Sequence, residues 1–128
     1  MIVLLRGIPG AGKSTIAELL ACSGPCFQAD DFHIIDGEYK FDINRAGAAH
    51  KWCRDEVRKA ALDPENKVVF VANTLTRIRE VREYQEIADE TGRKLASLIV
   101  ENRHGNIDVH NVPSETLEAM KNRFDIQL

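Results

Sequence analysis

The chain has 128 residues, of which 44% are hydrophobic, and its 17 basic and 20 acidic side chains give a formal net charge of −3. This length predicts a single domain, residues 1–128, whose core needs neither disulfides nor a metal to fold. This charge gives no strongly basic field and so no argument for binding duplex nucleic acid, while a local groove for a single strand remains open.

Short apolar runs alternate with helical periodicities along the chain. The patterns predict strands at residues 2–6, 26–29, 67–72 and 94–101. Helices are predicted at residues 13–21, 44–62 and 78–91, and a last helix is expected to be capped by Ser114. Residues 32–42 contain Gly37 and many polar side chains, which predicts a loop. This alternation indicates an α/β fold of three layers with a mostly parallel central sheet of four to five strands.

A phosphate-binding pattern follows the first predicted strand. The residues are Gly7, Ile8, Pro9, Gly10, Ala11, Gly12, Lys13, Ser14 and Thr15, and they match G-x-x-x-x-G-K-[ST]. Glycines let the backbone curl so that its N–H groups point at an anion, and the next helix adds its positive end. Lys13 is predicted to reach the β- and γ-phosphates, and the Ser14 hydroxyl to bind Mg²⁺. Because no N-K-x-D guanine signature is present, ATP is favoured over GTP.

Two adjacent carboxylates, Asp30 and Asp31, follow the second predicted strand. In a parallel sheet the carboxyl ends of the strands face the ligand crevice, so a carboxylate is expected near the γ-phosphate. Phosphoryl transfer needs a group that orients and deprotonates an incoming hydroxyl, and a carboxylate also helps to bind Mg²⁺, so Asp30 and Asp31 are both candidates for these tasks. The alternative is a helix cap or a turn, which Asp favours.

The ordered segments GIPGAGKST, ADDFH, DGEYKFD, AHKWC, VVFVANTLT and VHNVPSETLEAMKNRF resemble small P-loop kinases of the phage polynucleotide-kinase type. The resemblance covers residues 1 to about 124. It implies transfer of the γ-phosphate of ATP to a hydroxyl, often the 5′-hydroxyl of a nucleic acid.

The resemblance also implies roles for individual residues. Asp30 matches the general base, and Lys13 and Ser14 match the ATP and metal residues. Arg103 lies where lid arginines cover the phosphates, where it would neutralise charge on the transferred group. The lower-ranked substrate candidates are Asp31, His33, Arg45, Asn73 and Thr74.

Three departures from that family concern the metal and the acceptor. Ala72 stands where many members carry an Asp, His33 stands where the polynucleotide kinases carry a phosphate-gripping Arg, and the lid region offers only Arg103 and His104 as cations. The acceptor is therefore either a nucleic-acid 5′-hydroxyl, which the resemblance slightly favours, or a nucleoside-like or sugar-like molecule. A nucleotide-binding regulatory module with little turnover is the rival class.

The three cysteines form no CxxC pair and no leader pattern is present, which predicts a cytoplasmic protein. The apolar start is about five residues long and is far too short for a membrane span. The sequence leaves the oligomeric state open.

Overall fold

The computed structural model describes residues 1–105 and 111–128. Its centre is a four-stranded sheet with the order β2-β5-β1-β6, and every neighbouring pair is parallel. The six strands of the described residues are β1 (Ile2–Arg6), β2 (Cys26–Phe27), β3 (Ile34–Ile35), β4 (Glu38–Tyr39), β5 (Val69–Asn73) and β6 (Leu95–Ile99). The four α-helices there are α1 (Lys13–Leu20), α2 (Ala46–Leu62), α3 (Ile78–Thr91) and α4 (Ser114–Asn122). The predicted α/β fold with a parallel sheet is confirmed.

The two central strands, β1 and β5, are buried on both faces, which is why they read as continuous apolar runs. Side chains alternate between the faces along each strand. Val3, Leu5, Phe70 and Ala72 pack on the α1 side. On the other side the strands pack against α2 and α3, and the buried side chains include Leu4, Val57, Val71, Tyr84 and Ile87.

Helix α3 begins and ends at the predicted residues. The Glu80 carboxylate accepts a hydrogen bond from the Arg77 amide at the start of the helix, at 2.8 Å. Gly92 ends the helix with a φ of 68°, a left-handed conformation that glycine adopts without strain. The sequence signals were sufficient here because both ends use local chemistry.

Three local predictions need correction. The second strand stops at Phe27, and a 3-10 helix, Ala29–His33, carries the two aspartates. The segment predicted as a loop contains the hairpin of β3 and β4, which are antiparallel. Ser114 is the first residue of α4 rather than its cap, because Pro113 takes the cap position without a side-chain hydrogen bond.

Candidate active site

The loop between β1 and α1 curls tightly, as its glycines predict. Gly10 and Gly12 have φ values of 81° and 102°, in the region that favours glycine. A Cβ on Gly7 would lie 2.6 Å from the carbonyl oxygen of Val100, at the end of the neighbouring strand. Glycine is therefore needed at these positions both for conformation and for space.

Lys13 and Ser14 lie at the first turn of α1, facing the loop. Lys13 Nζ donates hydrogen bonds to the carbonyl oxygens of Gly7 and Ile8, at 2.8 and 3.0 Å. Ser14 Oγ donates to Oε1 of Gln28 at 2.9 Å. Gln28 lies just after β2, so this bond joins the loop to the segment that leads into the two aspartates. Sequence reasoning missed Gln28, which belongs to no motif.

The carboxylates of Asp30 and Asp31 lie in the 3-10 helix at the carboxyl end of β2. The Tyr39 hydroxyl donates to Asp30 Oδ1 at 3.4 Å. Desolvation raises the pKa of Asp31, and the neighbouring charge of Asp30 raises it further, against a lowering by the backbone of Gln28. The structure thus gives the two carboxylates different surroundings.

Asn73 fixes the position of this 3-10 helix. Its side chain is 6% exposed, and its Oδ1 accepts a hydrogen bond from the Ala29 amide at 2.8 Å. Its Nδ2 donates to the Tyr84 hydroxyl and to the Cys53 sulfur, at 3.4 and 3.5 Å. Asn73 therefore connects the end of β5 with the residue before Asp30. The neighbouring Thr74 is half-buried, and its carbonyl oxygen accepts a hydrogen bond from the Gly7 amide.

Arg6, the last residue of β1, directly precedes the phosphate loop and is held in a buried position. It is 3% exposed and donates to the carbonyl oxygens of Leu75 and Asp125, at 2.9 and 2.8 Å. Its guanidinium lies 5.0 Å from the centre of the Phe124 ring, a cation–π contact. Desolvation lowers the pKa of Arg6, while the charge of Asp125 raises it. Sequence analysis missed this contact between the last strand residue of β1 and the segment after α4.

His33 and Arg45 lie in an aromatic cluster beside the aspartates. The His33 ring lies 5.0 Å from the Phe41 ring and 6.2 Å from the Tyr39 ring. Arg45 covers the ring of Phe32 at 4.6 Å. Both substrate candidates therefore contact aromatic side chains of the 3-10 helix or of the hairpin that follows it.

Arg103 and His104 follow β6 and differ in what they contact. The side chain of Arg103 is 86% exposed and pairs with Glu101. His104 Nε2 lies 3.2 Å from the carbonyl oxygen of Ala11 and so touches the phosphate loop. Of these two residues, His104 rather than Arg103 contacts the phosphate loop.

The basic side chains of α2 are paired with carboxylates. The pairs are Lys51–Asp55, Arg54–Glu83, Arg58–Asp55, Arg58–Glu90 and Lys59–Glu56. These contacts indicate an ion-paired helix surface. Residues 1–105 and 111–128 bring no three His, Cys, Asp or Glu side chains together as a metal site. None of the helices in those two ranges has both the length and the apolar character needed to cross a membrane.

The parallel sheet, the glycine loop and the helix that follows it define the fold of the P-loop kinases. Solved structures similar to this chain include a chain of the Pnkp1/Rnl/Hen1 complex. That comparison has a TM-score of 0.61 and 21% identity over 99% of this chain and 40% of that chain. The similar structures also include the Mycobacterium tuberculosis APS kinase CysC in complex with AMPPNP and APS. That comparison has a TM-score of 0.59 and 15% identity over 78% of this chain and 61% of that chain. The predicted likeness to small P-loop kinases is confirmed at the level of the fold.

One curated relative is similar in sequence. The chain is 33% identical over 93 residues, or 70% of its length, to NEDD4-binding protein 2 of Homo sapiens. The chain spans about 5% of the length of that relative. No family model matches the chain.

Proposed function

We propose that this chain is an ATP-dependent kinase that transfers the γ-phosphate to a hydroxyl group of an acceptor. The observation that carries the proposal is the hydrogen bond from Ser14 Oγ to Gln28 Oε1. It brings the phosphate loop and the segment leading to Asp30 to the same edge of the sheet, where a parallel α/β fold binds its ligands. The neighbour that was solved with AMPPNP supports ATP as the donor.

Each residue of the loop has a defined task in this reaction. The backbone N–H groups of residues 7–14 hold the phosphates, aided by the positive end of α1. Lys13 now donates to two loop carbonyls, and it would transfer these hydrogen bonds to the β- and γ-phosphates. Asp30 accepts the proton of the acceptor hydroxyl as that oxygen attacks phosphorus.

Oxygen atoms suited to Mg²⁺ lie at the start of α1. Ser14 Oγ and Gln28 Oε1 are hard neutral donors, and the carboxylate of Asp30 lies two residues beyond Gln28. These residues fit a magnesium ion that is otherwise held by phosphates and water, and the ion would neutralise charge on the transferred phosphate. Ala72, which is buried against the α1 side, contributes no carboxylate.

Two classes of acceptor follow from the resemblance and from the structural neighbours. A nucleic-acid 5′-hydroxyl is supported by the resemblance and by the neighbour in the Pnkp1 complex. A small molecule is supported by the neighbour solved with APS and by the ion-paired state of the basic residues on α2, which leaves their charge compensated. Ala72 supports the rival function, a nucleotide-binding module with little turnover.

A transfer assay with γ-labelled ATP tests the proposal. Acceptors are a 5′-hydroxyl oligonucleotide and a pool of nucleosides. Wild type is expected to label an acceptor, and Asp30→Asn is expected to abolish labelling while ATP binding persists. Asp89→Asn, on the far part of α3, is the matched control and keeps full transfer. Equal labelling by wild type and Asp30→Asn would contradict the role of Asp30, and ATP binding without any transfer would favour the binding module.

A further inference from the structure

The hairpin of β3 and β4 presents an apolar face to solvent beside Asp30. We call four exposed side chains of the hairpin and of the segment that follows it, Ile34, Tyr39, Phe41 and Ile43, the hairpin face. Ile34 and Tyr39 are directly opposite each other in the antiparallel pair, so they share one side of it. Single exposed apolar residues are normal, but four within ten residues of chain concentrate exposed apolar surface beside Asp30, and such concentrations mark binding sites.

The hairpin face is connected to the proposed general base. Tyr39 is 43% exposed, and its hydroxyl donates to Asp30 Oδ1 at 3.4 Å. Phe41 is 57% exposed and packs on the His33 ring at 5.0 Å. A ring lying on these two aromatic side chains would therefore have its substituents within reach of the carboxylate.

His33 supplies a second and independent observation. Its side chain is 2% exposed, and Nδ1 is buried without a hydrogen-bond partner among the residues that the structure describes. Leaving a buried polar atom unpaired is costly, and such atoms in native proteins often have a ligand or a catalytic role. The His33 ring packs against Phe32, Tyr39 and Phe41, so this unpaired nitrogen lies among the aromatic side chains next to the hairpin face.

The charge around the hairpin selects among aromatic ligands. Residues 30–45 contain five carboxylates against Lys40 and Arg45, and Lys40 lies 3.7 Å from Glu38 while Arg45 covers the Phe32 ring. A ligand that carries phosphates along its length would be repelled here, whereas a neutral ring is tolerated. Stacking on an aromatic side chain accommodates any of the bases, since every base has a flat face.

We propose that the hairpin face binds the base of a free, uncharged nucleoside, and that the hydroxyl of its sugar is the acceptor. The proposal rests on the proposed kinase function. The sugar oxygen forms a bond to the γ-phosphorus of ATP, the bond from that phosphorus to the bridging oxygen breaks, and ADP leaves with the bonding electrons. The hydroxyl proton goes to Asp30. The base stacks on Tyr39 and Phe41, and the buried His33 ring, which packs against both, supports them from the inner side.

Steady-state kinetics with γ-labelled ATP test this site. Acceptors are adenosine, guanosine, cytidine and uridine, each compared with a 5′-hydroxyl hexanucleotide that begins with the same base. At least one nucleoside is expected to have a lower KM than its hexanucleotide. Phe41→Ala is expected to raise the nucleoside KM by about 5- to 150-fold, the range that removal of one stacking partner produces, while the KM for ATP stays the same.

Two further variants separate stacking from general effects on the fold. Leu62→Ala removes an exposed apolar side chain at the end of α2 and is expected to leave the nucleoside KM unchanged. Tyr39→Phe keeps the ring and is expected to raise the KM less than Phe41→Ala does. The proposal is overturned if Phe41→Ala leaves the nucleoside KM unchanged in a folded protein. It is also overturned if the hexanucleotide has the lower KM in every pair.

Failure of the kinase function can be told apart from failure of this site. If wild type labels no acceptor, binding of the four nucleosides in the presence of AMPPNP is measured by ligand-observed NMR. Nucleoside signals that Phe41→Ala removes and Leu62→Ala retains would support the hairpin face even then. The absence of nucleoside binding to wild type in that measurement would overturn the proposal.

Discussion

At the scale of single residues, Asn73 shows how the site is held in place. The resemblance predicted only that it lies near the substrate. In the structure it is buried, and its side chain joins the Ala29 amide to Tyr84 and Cys53. The sequence could not reveal this role, because the partners come from three elements that are brought together only by the fold.

Replacing this side chain should affect both stability and turnover. Asn73→Ala leaves the Ala29 amide unpaired, and we expect the free energy of unfolding to fall by about 1–3 kcal/mol. Because Asp30 then loses its fixed position, kcat should fall while the KM for ATP changes little. Urea unfolding and steady-state kinetics measure the two effects.

Asn66→Ala is the matched control for that variant. Asn66 Nδ2 donates to the Ala60 carbonyl oxygen at 3.0 Å, near the carboxyl end of α2. Its replacement should lower the free energy of unfolding without lowering kcat. If Asn73→Ala kept full kcat in a folded protein, Asn73 would have no positioning role.

At the scale of elements, the hairpin is the part that the sequence prediction missed. Its turn consists of Asp36 and Gly37, with φ values of 52° and 82°, and the dipeptide Asp-Gly favours a two-residue turn of this kind. The signal was present in the sequence, but each strand has only two residues and so gives no alternation to detect. The 3-10 helix was missed for a similar reason, since five residues show no helical period.

The turn of the hairpin can be tested with one substitution. Gly37→Ala places a Cβ at a left-handed position, where it has open space but unfavourable backbone geometry, at a cost of about 1–2 kcal/mol. We expect the KM for the acceptor to rise, because the hairpin face loses its conformation, while the KM for ATP is unchanged. Gly47→Ala lies within a helix and also has open space, so it should stabilise the protein by about 0.4–1 kcal/mol and keep both KM values. A rise in the KM for ATP alone would contradict this assignment of the hairpin.

At the scale of the whole molecule, the parallel sheet follows directly from the sequence. Apolar runs alternate with helical periods, and this order leaves few arrangements. Arg6 was not predicted, because a charged residue at the end of an apolar strand gives no hint that a segment more than a hundred residues later will cover it. The position of that segment depends on long-range packing, which local patterns do not encode.

The half-buried Cys26 thiol at the start of β2 predicts how the stability of the whole molecule depends on pH. Burial raises the pKa of Cys26 from 9.0 to about 11. Since the folded state holds this proton more tightly than the unfolded state, the stabilisation is complete below about pH 9 and is lost as the pH rises toward 11. The free energy of unfolding of wild type should therefore fall between pH 9 and 11, measured by urea unfolding. Cys26→Ala should show a shallower fall, and an identical slope would contradict the assignment.

The central claim is that the glycine loop holds the phosphates of ATP with the terminal phosphate on the side of Asp30. A crystal structure with AMPPNP and Mg²⁺ tests it most directly. The expected result is a triphosphate enclosed by residues 7–14, with Lys13 Nζ moved from the carbonyl oxygens of Gly7 and Ile8 to the β- and γ-phosphates, and with Asp30 facing the terminal phosphate across a space wide enough for one hydroxyl. A nucleotide bound outside the loop, or an Asp30 carboxylate turned away from the terminal phosphate, would contradict the account.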